Sequence, residues 1–181
     1  MGMALITVPR YTVGDLDRFP DDGNRYELLD GVLLVTPAPR AVHQIVATRI
    51  AARLSNALRT VAHVVGPGAI SVPPRTQLQP DILVYPARFS PETDWVKISE
   101  HWLAVEVLSR SSRMYDREFK RDAYFALGVG EVWLVDIGDR SVEVCRGRGA
   151  GQVVRDIIEW PVLAIDAVVR VALEEVLAGI G

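Results

Sequence analysis

The sequence predicts an α/β fold in which a mixed central β-sheet is flanked by helices and preceded by an N-terminal β-hairpin. Three observations carry that expectation. Two β-rich runs, Tyr26–Leu29 and Val32–Val35, meet at Asp30-Gly31, a dipeptide that tight hairpin turns favour. Val42, Ile45, Val46, Ile50, Leu54, Leu58 and Val61 recur at three- and four-residue steps, the period of an amphipathic helix, here His43–Val61. Leu78–Tyr85 and Trp102–Leu108 have the dense apolar character of strands at the centre of a sheet.

The remaining elements follow in order. Thr12 stands as an N-cap before Val13, Leu16 and Phe19, and the breakers Pro20 to Asn24 end that short helix. Pro37 and Pro39 close the hairpin. His63–Val65 and Ala69–Val72 are expected as strand pieces parted by Gly66-Pro67-Gly68, after which Pro73-Pro74 forces a loop. The polar stretch Pro86–Glu100 links the two dense strands. Tyr115–Leu127 is expected as a second amphipathic helix, between the turn Ser109-Arg110-Ser111-Ser112 and Gly128. Val132–Asp136 and Ser141–Cys145 then form a hairpin around Gly138-Asp139. Gly147, Gly149 and Gly151 mark a loop before a last strand and a short C-terminal helix near Ile165–Leu177.

At 181 residues the chain is expected to form a single domain, 1–181, and 49% hydrophobic with 24% charged residues is a globular rather than a disordered composition. Cys145, the one cysteine, has no partner for an internal disulfide and no Cys or His at zinc-ligand spacing, which fits cytoplasmic residence. Met1–Val8 is too short for the core of a signal sequence, and no run approaches the ~20 apolar residues of a membrane span, so no membrane partner is expected. A net charge of −3 argues against a protein that coats nucleic acid nonspecifically. It leaves room for a transient nucleic-acid substrate, because a site made of carboxylates is itself negative.

The chemistry is concentrated in the two dense strands, each of which carries a single acid: Pro80-Asp81-Ile82-Leu83-Val84 and Ala104-Val105-Glu106-Val107-Leu108. An ionised carboxylate loses its hydration in such a setting unless a partner or a metal compensates it. Either acid alone reads as a strand-end residue facing water or pairing with an arginine; the two together point to a shared site. Asp116 and Lys120 stand one helical turn apart directly after the second strand, a spacing that an ordinary surface ion pair explains equally well.

Taken in order, Tyr26-Glu27-Leu28-Leu29-Asp30-Gly31, His43-Gln44, Gln79-Pro80-Asp81, Glu106-Val107-Leu108-Ser109, Asp116 with Lys120 and Tyr124, and Gly128 through Asp136 resemble the Uma-type family of restriction endonucleases, formerly a domain of unknown function, within the PD-(D/E)XK nuclease superfamily. The resemblance implies a restriction endonuclease-like fold and Mg²⁺-dependent hydrolysis of DNA phosphodiesters, with Mn²⁺ as an alternative cation. Asp81 and Glu106 are then the metal ligands, joined by the backbone carbonyl of Val107, a donor set of the hard oxygens Mg²⁺ prefers. The superfamily's lysine, two residues after the second acid, is here Leu108, and Lys120 on the following helix is its implied substitute. Arg110 stands where relatives carry proline.

Two further residues join the candidate catalytic set. Glu27 reads as an additional site acid or as a hairpin residue facing water. His43 reads as a group orienting water or phosphate or as a helix-start residue bonded to the preceding loop. Tyr124 packs beside the site as an aromatic with a satisfied hydroxyl, while Trp102, Trp133 and Trp160 read as core. A homodimer is expected, because cutting both strands of a duplex needs two sites. The alternative readings are a catalytically inactive DNA-binding or regulatory module on the same fold, and a phosphodiesterase acting on RNA or a small nucleotide.

Overall fold

The computed structural model describes residues 10–108, 119–147 and 149–180. Its first strands are β1 (Arg25–Leu29), β2 (Val32–Thr36), β3 (Ala62–Val65), β4 (Ile70–Val72), β5 (Thr76–Leu78) and β6 (Ile82–Pro86), with helix α1 (Ala41–Leu58) between β2 and β3. There follow β7 (His101–Leu108), α2 (Arg121–Ala126), β8 (Val129–Asp136), β9 (Ser141–Cys145), β10 (Gln152–Val154), β11 (Ile157–Val162), β12 (Ala167–Ala172) and α3 (Leu173–Val176). The chain divides into two compact units, Met1–Ala38 with Ala69–Gln79, and Pro39–Gly68 with Pro80–Gly181.

The smaller unit is a four-stranded antiparallel sheet in the order β2-β1-β5-β4. Its hairpin turns at Asp30 and Gly31, whose φ of 48° and 78° are the paired left-handed values that a two-residue turn of this type needs. A short 3-10 helix, Val13–Arg18, precedes it, with Thr12 N–H and hydroxyl both donating to Asp15 Oδ2 at 2.8 and 2.7 Å. Glu27 is fully buried in β1. Its carboxylate accepts the Gln79 N–H at 2.7 Å, while Arg25 donates to the Gln79 carbonyl at 2.9 Å, so β1 holds both backbone groups of that residue.

The larger unit is built on a six-stranded mixed sheet ordered β10-β9-β8-β7-β6-β3. Strands β7 and β8 run parallel and every other pair is antiparallel. A parallel pair cannot be joined by a tight turn, so the chain must cross over between them, and α2 lies on that crossing. The apolar stripe of α1 (Val46, Ala47, Ile50, Leu54, Leu58) packs with Ile82, Val84, Leu103, Val105, Val107, Trp133 and Val135. The hairpin β11–β12 adds Ile158, Trp160, Val169 and Val171 to this core, with Trp160 edge-on to Trp133 at 5.9 Å. Arg49 on α1 donates to the carbonyls of Val176 and Ala178 and fastens the C-terminal turn.

Several expected boundaries differ, among them the end of α1, which stops at Leu58 and not Val61. The run Leu78–Tyr85 is not one strand: β5 ends at Leu78, β6 starts at Ile82, and they belong to different sheets. Pro80, which has no N–H to give a ladder, sits in the break. The helix expected near Ile165–Leu177 is reduced to α3, because Ala167–Ala172 pairs with β11 as a strand. The alternating Val169 and Val171 bury one face there, and Asp166, at a left-handed φ of 48°, makes the turn. Of the expected helix Tyr115–Leu127, Arg121–Ala126 is α2; Asp116 and the Ser109–Ser112 turn lie outside the described residues. No helix among the described residues is long and apolar enough to cross a membrane.

Candidate active site

Strands β6 and β7 pair with Ile82 opposite Val105, the last pair of that register; Asp81 precedes Ile82 in the chain and Glu106 follows Val105. The backbone ties the two positions together, since the Val107 N–H donates to Asp81 Oδ2 at 2.8 Å. The carboxylate thus takes the place of a ladder carbonyl at the end of β6. Leu103, Val105 and Val107 enter the core with α1, so alternation turns Glu106 to the opposite face of the sheet.

On that face Glu106 meets the segment leading into and through α2. Lys120 Nζ lies 3.2 Å from Glu106 Oε1, and the Tyr124 hydroxyl donates to the same oxygen. At the other acid, His43 in the first turn of α1 places Nε2 3.0 Å from Asp81 Oδ2, the oxygen that also takes the Val107 N–H. Facing a carboxylate acceptor, Nε2 is the nitrogen that carries the proton. His43 Nδ1 is buried without a hydrogen-bond partner among the described residues.

Burial makes these contacts consequential. Asp81, Glu106 and Lys120 are only 6%, 4% and 3% exposed, so their charges interact through a medium far less screening than water. An ammonium against Glu106 and two N–H donors against Asp81 offset part of the desolvation of each carboxylate. Gly66, which follows β3, fits closely behind Asp81: a Cβ added there would lie 2.6 Å from the Asp81 carbonyl oxygen.

In the larger unit the candidates thus form two sets of contacts, His43 and the Val107 N–H at Asp81 and Lys120 at Glu106, with Val107 following Glu106 directly in the chain. Glu27 lies in the smaller unit, on Gln79, two residues before Asp81 in the chain. Among the described residues no three His, Cys, Asp or Glu side chains form a metal cluster. A cation here would rest on two carboxylates, a main-chain oxygen and waters. That donor set fits Mg²⁺, which is commonly held by one or two carboxylates while keeping much of its hydration.

Sequence reasoning left Tyr124 as a neighbour of the site, whereas it is fully buried and bonded to Glu106. The signal was present in its spacing, one turn on from Lys120. Sequence reasoning also missed Glu131, a buried acid that accepts Trp133 Nε1–H at 2.7 Å and Arg146 Nε–H at 2.8 Å. Burial raises its pKa above the ordinary carboxylate value, with both hydrogen bonds opposing the shift. Arg146, the residue after β9, also donates to the Glu159 carbonyl and so links Glu131 of β8 to β11. Burial pushes the Cys145 thiol up to about 11, so that sulfur is no nucleophile at neutral pH.

The architecture is shared with a solved α/β structure described as a putative nuclease belonging to DUF820 from Anabaena variabilis ATCC 29413. The TM-score is 0.70, and the match covers 92% of this chain and 97% of that one at 15% identity, a likeness of fold. The sequence itself gives the family: the chain belongs to Uma2, described as a putative restriction endonuclease family, whose model matches residues 13–177. A search of curated proteins finds no match.

Proposed function

We propose that this chain is a divalent-metal-dependent endonuclease that hydrolyses DNA phosphodiesters. The single observation that carries the reading is the bond from the N–H of Val107, the residue after Glu106, to the buried Asp81 carboxylate, with the Lys120 ammonium on Glu106. Family membership supports the nuclease class, and the match across 13–177 supports treating both units as one functional domain.

Asp81, Glu106 and the Val107 carbonyl are the groups that would hold Mg²⁺ or Mn²⁺. When bound, the cation supplies a more acidic water and neutralises charge at the scissile phosphate. Val107 N–H and His43 Nε2–H orient Asp81 by bonding one of its oxygens. Lys120 supplies a positive charge within reach of the same acid pair, so that charge developing on the phosphate is met by a fixed ammonium as well. On this reading Lys120, just before α2, substitutes for the missing strand lysine from another backbone origin, since Leu108 carries no charge. A two-fold dimer would present two such sites to the two strands of a duplex.

Purified protein is incubated with plasmid DNA with Mg²⁺, and with a chelator in place of the metal. The expected result is cleavage only with metal, lost in Glu106→Ala and in Lys120→Ala while both variants keep wild-type circular dichroism. DNA affinity without any metal-dependent cleavage would point to the inactive binding module instead. Cleavage confined to RNA or to a nucleotide would reassign the substrate.

A further inference from the structure

We propose that Tyr124 is a positioning residue for Glu106, fixing the orientation in which that carboxylate meets the cation; the inference rests on the metal-dependent reading above. Tyr124 is completely buried, its hydroxyl donates to Glu106 Oε1, and Lys120 Nζ approaches that same oxygen at 3.2 Å. One helical segment therefore delivers two donors, four residues apart, to a single atom.

The two donors differ in stiffness. A lysine carries its charge on a flexible four-carbon stem, whereas a tyrosine ring has two torsions, here enclosed by packing. When a phosphodiester anion arrives, the ammonium acquires a second negative partner and can turn toward it. The phenol has no such pull and stays on Oε1. Glu106 then keeps its orientation whether or not Lys120 is engaged with substrate. The roles divide accordingly: Tyr124 governs how well the acid pair binds the cation before DNA is present, and Lys120 governs the cleavage step. A tyrosine that merely fills the core would leave cation affinity where it is.

The test is a calorimetric titration of Mn²⁺ into the full chain without DNA, for wild type, Tyr124→Phe and Lys120→Met. The phenylalanine keeps the ring and removes only the hydroxyl. Loss of a group that orients a metal ligand commonly weakens binding ~10-fold or more, and that is the expected result for Tyr124→Phe, with the variant folded, its thermal midpoint lowered only by the loss of one buried hydrogen bond, and its affinity for DNA near wild type. Lys120→Met is expected to bind Mn²⁺ at least as tightly as wild type, since a positive charge has left the site, while cleavage is lost. In the wild-type chain the Tyr124 ring resonances are expected to shift on adding Mg²⁺. Wild-type Mn²⁺ affinity in Tyr124→Phe, or ring resonances indifferent to Mg²⁺ that binds, overturns the role of Tyr124 alone. A wild-type chain that takes up no Mn²⁺ overturns both this inference and the metal-dependent reading beneath it.

Discussion

The Val107 N–H meets Asp81 Oδ2 at 2.8 Å, so the strand that carries Glu106 also holds Asp81, through its very next residue. Breaking that bond leaves the buried Val107 N–H unsatisfied, at a cost of about 1–3 kcal/mol for such a group.

Asp81→Asn keeps the size of the side chain and an oxygen to accept the Val107 N–H, and it removes the charge. The thermal midpoint is expected to stay near wild type, while Mg²⁺-dependent cleavage falls by ~100-fold or more. Melting curves and plasmid cleavage rates check the two halves separately.

Lys120→Met deprives a buried carboxylate of its ammonium. Removing one member of a buried ion pair destabilises by about 3–5 kcal/mol, and because the Tyr124 hydroxyl remains on Glu106 the lower end is expected. Adding Glu106→Gln to the same chain should recover most of that loss, since no charge is then stranded. Urea unfolding of the two single variants and the double variant gives the coupling directly.

Gly66→Ala acts on the same acid from behind. Its Cβ would sit 2.6 Å from the Asp81 carbonyl oxygen, a backbone atom that can yield only by moving Asp81. A loss of about 1–3 kcal/mol in stability is expected. Mn²⁺ affinity should drop as well, measured by titration of the folded variant.

His101 sets an acid limit on stability away from the site. It is buried at the start of β7, with Nε2 lacking a hydrogen-bond partner among the described residues, and desolvation lowers its pKa from the ordinary 6.5 despite the opposing charge of Glu100. Between the lowered folded value and 6.5 the unfolded chain binds more protons, so folding stability is full above 6.5 and declines as the pH falls below it. Urea midpoints at about pH 7.5 and about pH 5.5 should differ in that direction, and His101→Phe should lessen the difference.

What the sequence makes legible is what depends on local chemistry. Asp30-Gly31 announces its turn because the two left-handed φ values are a property of those two residues. α1 is legible because Val46, Ile50, Leu54 and Leu58 form one stripe. Two lone acids in apolar strands are likewise visible as a problem that burial must solve. Tertiary pairing is less visible. The run Leu78–Tyr85 reads as continuous strand until Pro80 is seen to part it between two sheets. The stretch Ala167–Ala172 reads with the helix that follows until β11 supplies a partner for Val169 and Val171. The His43–Asp81 contact depends on where the start of α1 falls against the end of β6, which no spacing along the chain encodes.

The most direct measurement is anomalous diffraction from a crystal soaked in Mn²⁺. A single strong peak within coordination distance of both the Asp81 and Glu106 carboxylates is the expected result, with Lys120 nearby and not bonded to it. Clear density for both side chains with no peak between them, at a Mn²⁺ concentration that supports cleavage, would contradict the account.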